Sequence, residues 1–442
     1  MRFTAAKIIV PCAIIAGFAG MISYSSSRDK YPGKTVVRIA YPRHGYVSLD
    51  NAWNDVIADF EKANPQIKVV PMEADWNKIA LMTAAKMLPD IYGSNTFYCF
   101  RERLRAEDLT PYIERDRAET SFDDFIPELI GDCKYGGKTY MLPFFYNIAL
   151  LYYNADIFAA EGVPPPSDDW TWDDYVRAAA KLAKFDAQGK QVRWGTNVVW
   201  GWWEEWLTYD YMCGGDIFSE DWSRCLLDTP QAIQGFTFYR DLVLKHRVSP
   251  TQKELGQEPF INQQIAMQWG GHTMNWIGLR SHAKFRWDVA LLPAGPKTRR
   301  GGERVSATFC MYRHSKHKEE AWKLLAWLAS PEAGAKWCEV GLTPVRQSVA
   351  EKVFLKRNAA GEFDQAPQHR EKALEAIKYG VNQPVMPDFA EIVFNFFQPM
   401  VDRMMRDEMT PEEVAREGTA KANKFLKMMG RSRAELEKER GI

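Results

Sequence analysis

Three observations predict an α/β protein built from two lobes. The chain has 442 residues, which is more than one hydrophobic core usually serves. Its first elements follow the order strand, helix, strand, which is the beginning of a doubly wound sheet. An apolar run from Tyr140 to Asn154 is long enough to be a strand that passes from one lobe into the other.

The chain begins with an apolar segment behind two basic residues. Arg2 and Lys7 are followed by an uncharged run from Ile8 to Ile22, and the polar sequence SYSSSRDK comes next. This pattern is typical of a secretory signal, and the run is short for a membrane span. We therefore expect residues 1–30 to be a signal peptide or an amino-terminal anchor, and the protein to work in the periplasm or another extracytoplasmic space. Whether the signal is cleaved stays open.

The first strand, helix and second strand follow this segment. TVVRIAYP, from Thr35, is rich in β-branched residues and predicts a strand. In the next stretch Trp53, Val56, Ile57 and Phe60 are spaced as one apolar face of a helix, and an Asn-Pro pair ends it. The alternating QIKVVPM predicts the second strand.

Turn and capping residues mark later elements. Gly136 and Gly137 predict a hairpin turn just before the long strand. Capping residues mark three helix starts: Thr171 or Asp169, Ser315, and Thr410 together with Glu413.

Composition narrows the possible ligands and partners. Lys plus Arg and Asp plus Glu both number 57. The chain therefore lacks the net positive electrostatic field that binding to nucleic acids or anionic membranes usually needs. No HExxH, GxSxG or GxxxxGK[ST] motif is present, and we expect neither a metal nor a cofactor. Six cysteines follow Cys12; disulfides are permitted in an exported protein, but small buried side chains with at most one bridge are the simpler expectation.

Five segments in one order resemble a known family. YGGKTYMLPFFYNIALLYYNADIFAAEGVPPPSDDWTWDDY, RWDVALLPAGP, HSKHKEEAWKLLAWLASPEAGAKW, GLTPVR and TPEEVAREGTAKANKFL resemble landmarks of family 1 extracellular solute-binding proteins, the maltose-binding-protein-like sugar-binding proteins of ABC transporters. The resemblance runs from about Thr35 to Lys427. It implies a Venus flytrap fold of the type II kind, in which hinge strands join two α/β lobes and the ligand lies in the cleft between them.

The resemblance also implies how the chain divides and what it does. The first lobe is expected to hold residues 35–146 plus about 304–350, and the second 147–303 plus about 351–430, with a polar tail at 431–442. We expect a monomeric binding protein, not an enzyme, that delivers a sugar or oligosaccharide to the permease subunits of an ABC importer. Delivery to a sensor instead of an importer is an open alternative.

The stretch VVWGWWEEW, Val198 to Trp206, predicts ligand contacts. A sugar ring has an apolar face that a flat indole can cover and a hydroxyl edge that carboxylates and amides can bind. In the family this stretch corresponds to a loop that faces the cleft. The candidate contacts are Trp200, Trp202, Trp203 and Glu204, whereas Trp194 and Trp206 are expected to pack inside the second lobe.

Further candidate contacts come from strand ends and from the resemblance. The carboxyl ends of strands in an open sheet are where ligands bind, and the family places other contacts on the crossing strand, on a turn after IAMQWGG and near the end of the chain. These candidates are Arg43, His44, Trp76, Ser94, Asn95, Phe145, Asn147, Trp269, His272, Thr273 and Phe396.

A rival class is an enzyme that hydrolyses glycans. Such enzymes use two carboxyl groups about 5 to 9.5 Å apart. Here the acids that could form a pair are Asp168, Asp169, Asp173, Asp174, Glu204 and Glu205. Adjacent acids near a helix start are more often caps or solvated charges, so binding without catalysis is the preferred hypothesis.

Overall fold

The computed structural model describes residues 30–41, 46–198, 203–382 and 388–429. The strands within these ranges are β1 Thr35–Tyr41, β2 Ile67–Glu73, β3 Ile91–Asn95, β4 Lys134–Tyr135, β5 Lys138–Thr139, β6 Leu142–Asn154, β7 Lys184–Phe185, β8 Gln191–Arg193, β9 Met267–His272, β10 Trp287–Ala290 and β11 Arg304–Met311.

Helices lie between the strands along the chain, and the described elements after the last strand are all helical. The α-helices are α1 Val47–Ala63, α2 Trp76–Ala84, α3 Cys99–Glu102, α4 Thr110–Arg115, α5 Pro127–Gly131, α6 Ala155–Ala160, α7 Trp172–Leu182, α8 Trp203–Met212, α9 Pro230–Leu244, α10 Asn275–His282, α11 Lys318–Leu328, α12 Pro331–Glu339, α13 Gln347–Val349, α14 Glu371–Ala376, α15 Gln398–Met405 and α16 Pro411–Met429. Short 3-10 helices occur at Thr96–Tyr98, Phe122–Asp124 and Ile377–Tyr379, and π-helices at Ala350–Phe354 and Glu391–Phe397.

The main sheet begins as the sequence predicts. Its strands lie in the order β2-β1-β3-β11-β6-β10, with β9 also paired to β6. β1 runs parallel to β2 and β3, while β11 runs antiparallel to β3. The predicted strand–helix–strand start is therefore confirmed, and the apolar face of α1 is buried.

The long strand β6 joins two groups of elements. Residues 142–148 of β6 pair with β11, and the remainder of the strand pairs with β9 and β10. We call β1–β5, α1–α5, β11, α11 and α12 the first lobe, and β7–β10, α6–α9, α15 and α16 the second lobe. The predicted crossing strand is confirmed, because a single strand supplies hydrogen bonds to both lobes.

Contacts between helices show how the end of the chain packs. α12 lies against α1 in the first lobe, whereas α15 and α16 pack against α9 in the second lobe. This arrangement is consistent with the expectation that residues 351–430 return to the second lobe. The boundaries between the lobes stay a prediction.

Two of the three predicted helix starts are confirmed. Thr171 and Asp174 form a capping box at α7, and Thr410 and Glu413 bond reciprocally, side chain to backbone, at α16. The prediction for Ser315 is wrong. α11 begins at Lys318, and the Ser315 hydroxyl instead donates to the carboxylate of Asp90, 2.6 Å away.

Three features are absent from the ranges that the structure describes. The six cysteines there, Cys99, Cys133, Cys213, Cys225, Cys310 and Cys338, are all unbridged. No group of three or more His, Cys, Asp or Glu side chains could hold a metal ion. None of the described helices combines the length and the apolar composition that crossing a membrane requires.

Candidate functional site

A cavity of about 230 Å³ lies beside the crossing strand. Its walls include β1, α1, β3 and β11 of the first lobe, residues of β6, and the end of β9 in the second lobe. The aromatic lining residues are Tyr41, Trp53, Phe97, Phe144, Phe145 and Phe309. The polar lining residues are Ser94, Asn95, Asn147, His272, Glu303 and Thr308.

The aromatic wall is a rigid stack inside the first lobe. The rings of Trp53 and Tyr41 are parallel, with 4.4 Å between their centroids. Phe144, Phe309 and Trp337 surround the same indole at 5.6, 5.5 and 4.8 Å. Because each ring packs on its neighbours, the wall presents a preformed apolar surface to the cavity.

An irregularity in the strand pairing shapes this wall. Ala307 of β11 lies opposite Phe145, but Thr308 lies opposite Pro143, so the register shifts by one residue. Successive side chains of a regular strand point to opposite faces. The bulge at this point accounts for Phe144 and Phe145 both lining the cavity.

The side chain of Asn147 is oriented by the second lobe. Its Oδ1 accepts a hydrogen bond from the backbone N–H of Met274 at 3.0 Å. The hydroxyl oxygen of Thr273 lies 3.4 Å from the same atom, while its hydrogen is directed to the carbonyl of Tyr146 at 3.1 Å. The amide nitrogen has no hydrogen-bond partner within the described ranges. Asn147 therefore presents a donor, rather than an acceptor, to the cavity.

One pair of ionisable side chains lies at the cavity. Nε2 of His272 is 2.8 Å from Oε2 of Glu303, and the glutamate side chain is almost completely buried. The phenol of Tyr152 donates to the carbonyl of His272 at 2.7 Å and so holds the backbone of this histidine. The pair joins β9 of the second lobe to the residue that precedes β11.

The structure brings together five of the residues predicted from the sequence. Ser94, Asn95, Phe145, Asn147 and His272 all line the cavity. Their contact with a ligand stays a prediction. Outside the described residues lie Arg43, His44, Trp200 and Trp202, and the side chains of Trp76, Trp203 and Glu204.

Three other predicted contacts do not line the cavity. The predicted ligand contact at Trp269 is corrected, because only 2% of this residue is exposed. Its indole lies 5.1 Å from the rings of Tyr175 and Tyr209 inside the second lobe. Thr273 is buried and supports Asn147 from behind. Phe396 packs edge-on against Phe425, so it belongs with the carboxy-terminal helices.

Trp206 packs as the sequence predicts. Its indole stacks on Phe236 at 5.3 Å and on Phe397 at 5.7 Å, and its N–H donates to Gln398. Trp194 is partly buried against the same core. The packing role predicted for these two tryptophans is confirmed.

Several lining residues were missed by reasoning from the sequence. Trp53 was correctly predicted to lie on the buried face of α1, and that face also forms the cavity wall. Glu303 and Thr308 belong to no motif or periodic pattern in the stretch GGERVSATFC. The sequence therefore does not indicate them as ligand contacts.

Four of the acids considered for the rival enzyme hypothesis have side chains that the structure describes, and none of these four lines the cavity. Asp174 caps α7, the Asp169 carboxylate accepts from the hydroxyl of Ser167, and Asp168 pairs with Lys372. Asp173 is exposed at the start of α7. Among the lining residues in the described ranges, Glu303 is the sole carboxylate, so no pair of cavity acids is available there for hydrolysis.

Comparison with known proteins gives a family and a fold. A model of the bacterial extracellular solute-binding protein family matches residues 46–335. A Brucella abortus binding protein is 26% identical over 394 residues, which cover 85% of this chain and 90% of that protein. An arabinooligosaccharide-binding protein of Bacillus subtilis is 25% identical over 333 residues, covering 69% of this chain and 71% of that one.

Solved structures agree with the two-lobe prediction. An ABC substrate-binding protein from Listeria monocytogenes, in complex with cycloalternan, superposes with a TM-score of 0.74 at 25% identity. The match covers 90% of this chain and 99% of that chain. A solute-binding protein from Thermotoga lettingae, bound with α-D-tagatose, matches with a TM-score of 0.73 at 24% identity and covers 89% of this chain and all of that one. The predicted two-lobe fold is confirmed.

Proposed function

The chain belongs to the bacterial extracellular solute-binding protein family, and we propose that it binds a sugar or short oligosaccharide in the cavity and delivers it to an ABC importer. The observation that carries this proposal is the chemistry of the cavity. Aromatic rings form its walls, and a few oriented polar groups lie among them. A ring with apolar C–H faces and a hydroxyl edge complements such a surface.

The charges of the lining favour a neutral ligand. The only ionisable lining residues of the described ranges are the His272–Glu303 pair and Tyr41, and the pair is joined by its own hydrogen bond. A charged ligand would need an opposite charge to offset its desolvation. The carbohydrate ligands named for the Bacillus and Listeria proteins support the same class of ligand.

Binding would work by closure of the two lobes. The first lobe provides most of the lining and the second provides His272 and Met274, while β6 runs between them. A ligand that contacts both sides stabilises the state in which they are close, by its difference in affinity for the closed and open states. The closed form would then dock on the membrane permease.

Family membership implies an extracytoplasmic location. Export by the amino-terminal segment and a monomeric state are further parts of our proposal. Export is supported by the composition of residues 1–30.

The proposal can be tested with D-tagatose, maltose, arabinotriose and cycloalternan on the full chain. A binding sugar at 100 times its dissociation constant should stabilise the folded protein by about 2.7 kcal/mol, and small-angle scattering should show a more compact particle. Chromatography after incubation should recover the sugar unchanged. Turnover of the sugar would favour the hydrolase instead, and the absence of binding by every probe would contradict the proposal.

A further inference from the structure

Alternation along three neighbouring strands decides which side chains face the cavity. Asn95 of β3 lies opposite Ala307 of β11, and Ala307 lies opposite Phe145 of β6. Two residues further along, Val305 lies opposite Asn147. Residues directly opposite each other, and residues two apart on one strand, share a face of the sheet. All five of these residues line the cavity, so we call this face the cavity floor.

The polar side chains between these positions belong to the opposite face of the sheet. Ser94 and Thr308 are paired with each other there, and both are buried. The hydroxyl of Ser94 donates to Glu102 at 3.0 Å. Asn95 and Asn147, by contrast, are half-buried. The two asparagines are therefore polar residues of the floor whose side chains stay accessible.

The amide of Asn95 is held in one orientation. Its Oδ1 accepts from the backbone N–H of Phe97 at 3.1 Å and so caps the 3-10 helix Thr96–Tyr98. In an asparagine side chain only the carbonyl oxygen can accept, so this bond fixes which side of the amide carries the nitrogen. That nitrogen has no hydrogen-bond partner among the residues that the structure describes. Asn95 therefore offers a donor, as Asn147 does.

The two amide donors stand on opposite sides of a shallow part of the floor. Neighbouring strands lie about 4.8 Å apart and rise about 3.4 Å per residue, which places the Cα atoms of Asn95 and Asn147 about 12 Å apart. The short side chains of Ala307 and Val305 lie between them on β11. This arrangement leaves room for one ligand ring over β11, with an amide at each side.

We propose that Asn95 and Asn147 donate to two different oxygen atoms of one sugar unit, which lies over Ala307 and Val305. On this side the site recognises lone pairs of the sugar and not its hydroxyl hydrogens. A ring oxygen, a glycosidic oxygen or a hydroxyl oxygen fits, because each can accept. A methylene group does not fit, since it leaves a half-buried donor unpaired. The inference rests on the proposed function and adds a rule of specificity to it.

The first experiment exchanges each donor for an acceptor. Asn95→Asp and Asn147→Asp keep the oxygen that binds the backbone N–H but place a second oxygen where the amide nitrogen was. Each substitution should weaken binding of D-tagatose, maltose, arabinotriose or cycloalternan, whichever binds the full chain, about 10- to 100-fold in calorimetry. The melting temperature of the ligand-free protein should change little.

Asn95→Ala separates donation from a structural role. It removes the cap as well as the donor, so it should both weaken binding and lower the melting temperature. If Asn95→Ala binds weakly but Asn95→Asp binds like the unmodified chain, Asn95 only supports the turn, and the proposal is overturned. Unchanged affinity in Asn147→Asp overturns it as well.

A matched control adds the same charge away from the cavity. Oδ1 of Asn358 accepts from the backbone N–H two residues further on, at 3.0 Å, as that of Asn95 does. Asn358 is exposed and does not line the cavity. Asn358→Asp should leave affinity within about twofold, because the effects of distant substitutions are independent. A loss as large as that of Asn95→Asp would attribute the effect to charge alone and contradict the proposal.

The second experiment tests whether the two amides bind separate oxygens. In the double variant of Asn95→Asp and Asn147→Asp the two losses should multiply to within about twofold, because groups this far apart act independently. A double variant no weaker than the poorer single variant would mean one shared oxygen and overturn the two-point arrangement. If no probe binds the unmodified chain, the proposed function fails together with this inference. Binding that all the variants retain would remove this inference alone.

Discussion

The hydroxyl of Thr343 is bonded twice to the backbone of Tyr146. Its oxygen accepts from the Tyr146 N–H at 3.2 Å, and the hydroxyl is also bonded to the Tyr146 carbonyl. The same carbonyl accepts from Thr273 at 3.1 Å. In this part of β6 the strand pairs with β11 on one side only, so the two threonines occupy its open edge where the lobes meet.

This edge predicts the effect of removing the Thr343 hydroxyl. Thr343→Val keeps the side-chain volume but leaves the buried Tyr146 N–H without a partner, which should cost about 1 to 3 kcal/mol of unfolding free energy. Urea unfolding of the ligand-free protein measures the change. Thr343→Ser retains the hydroxyl and should cost clearly less. Equal losses for the two variants would show that packing, and not the hydrogen bond, matters here.

The orientation of Asn147 predicts a loss of sugar affinity in one variant. Asn147→Asp still accepts from the backbone N–H of Met274 but no longer offers a donor to the cavity. We expect binding of the sugar to weaken about 10- to 100-fold, as measured by calorimetry. Asn147→Ala should weaken binding and also lower the melting temperature, because it leaves the Met274 N–H unmatched. Full affinity in Asn147→Asp would remove this residue from the site.

The burial of Trp269 predicts a stability effect in place of a binding effect. Trp269→Ala removes a buried indole from the aromatic cluster with Tyr175 and Tyr209, and such truncations cost about 3 to 5 kcal/mol. Chemical unfolding should show this loss. Sugar affinity of the folded variant, measured at low temperature, should stay within about threefold. A large loss of affinity with normal stability would restore Trp269 as a contact.

A buried carboxyl group in α8 predicts a pH-dependent stability. Burial, reinforced by nearby Asp216, raises the pKa of Asp210 to about 7 in the folded protein. The carboxylate also lies tightly against Gly215, where a Cβ atom would come within 1.9 Å of it.

The sign follows from the raised pKa. Between about pH 4 and 7 the unfolded chain loses this proton while the folded protein retains it. The unfolding free energy should therefore fall by up to roughly 4 kcal/mol as the pH rises through this interval. It should not fall further from this cause above pH 7.

Asp210→Asn tests this expectation directly. The variant should lose that part of the pH dependence and should be more stable than the unmodified chain at pH 8, in urea unfolding followed across the interval. Asp173→Asn, at an exposed aspartate on α7, is the matched control and should keep the original slope. Parallel curves for Asp210→Asn and the unmodified chain would contradict the assignment.

Local patterns predicted much of the architecture. The spacing of Trp53, Val56, Ile57 and Phe60 predicted the buried face of α1, and the long apolar run predicted the crossing strand. Capping residues correctly predicted where α7 and α16 begin. A cap bonds to backbone groups within one turn of helix, so the neighbouring sequence is enough to identify it. The prediction for Ser315 failed because α11 begins only at Lys318, so the Ser315 oxygen accepts from the N–H of His317 ahead of the helix.

The candidate site was predicted less completely. Strand ends and the family resemblance indicated Ser94, Asn95, Phe145, Asn147 and His272. The same reasoning included Trp269, because an indole near a turn looks identical whether it packs or binds. The contacts proposed in the tryptophan-rich stretch, Trp200, Trp202, Trp203 and Glu204, stay predictions.

The sequence by itself determined the class of fold, the order of its first elements and the strand that joins the lobes, because periodicity, turns and caps act between residues close in the chain. Only the tertiary structure decided that the Ser94 hydroxyl donates to Glu102 and that Trp269 lies in a core. The physical reason is that strand pairing and burial depend on residues that need not be neighbours in the chain. No local pattern records which side chain will cover another.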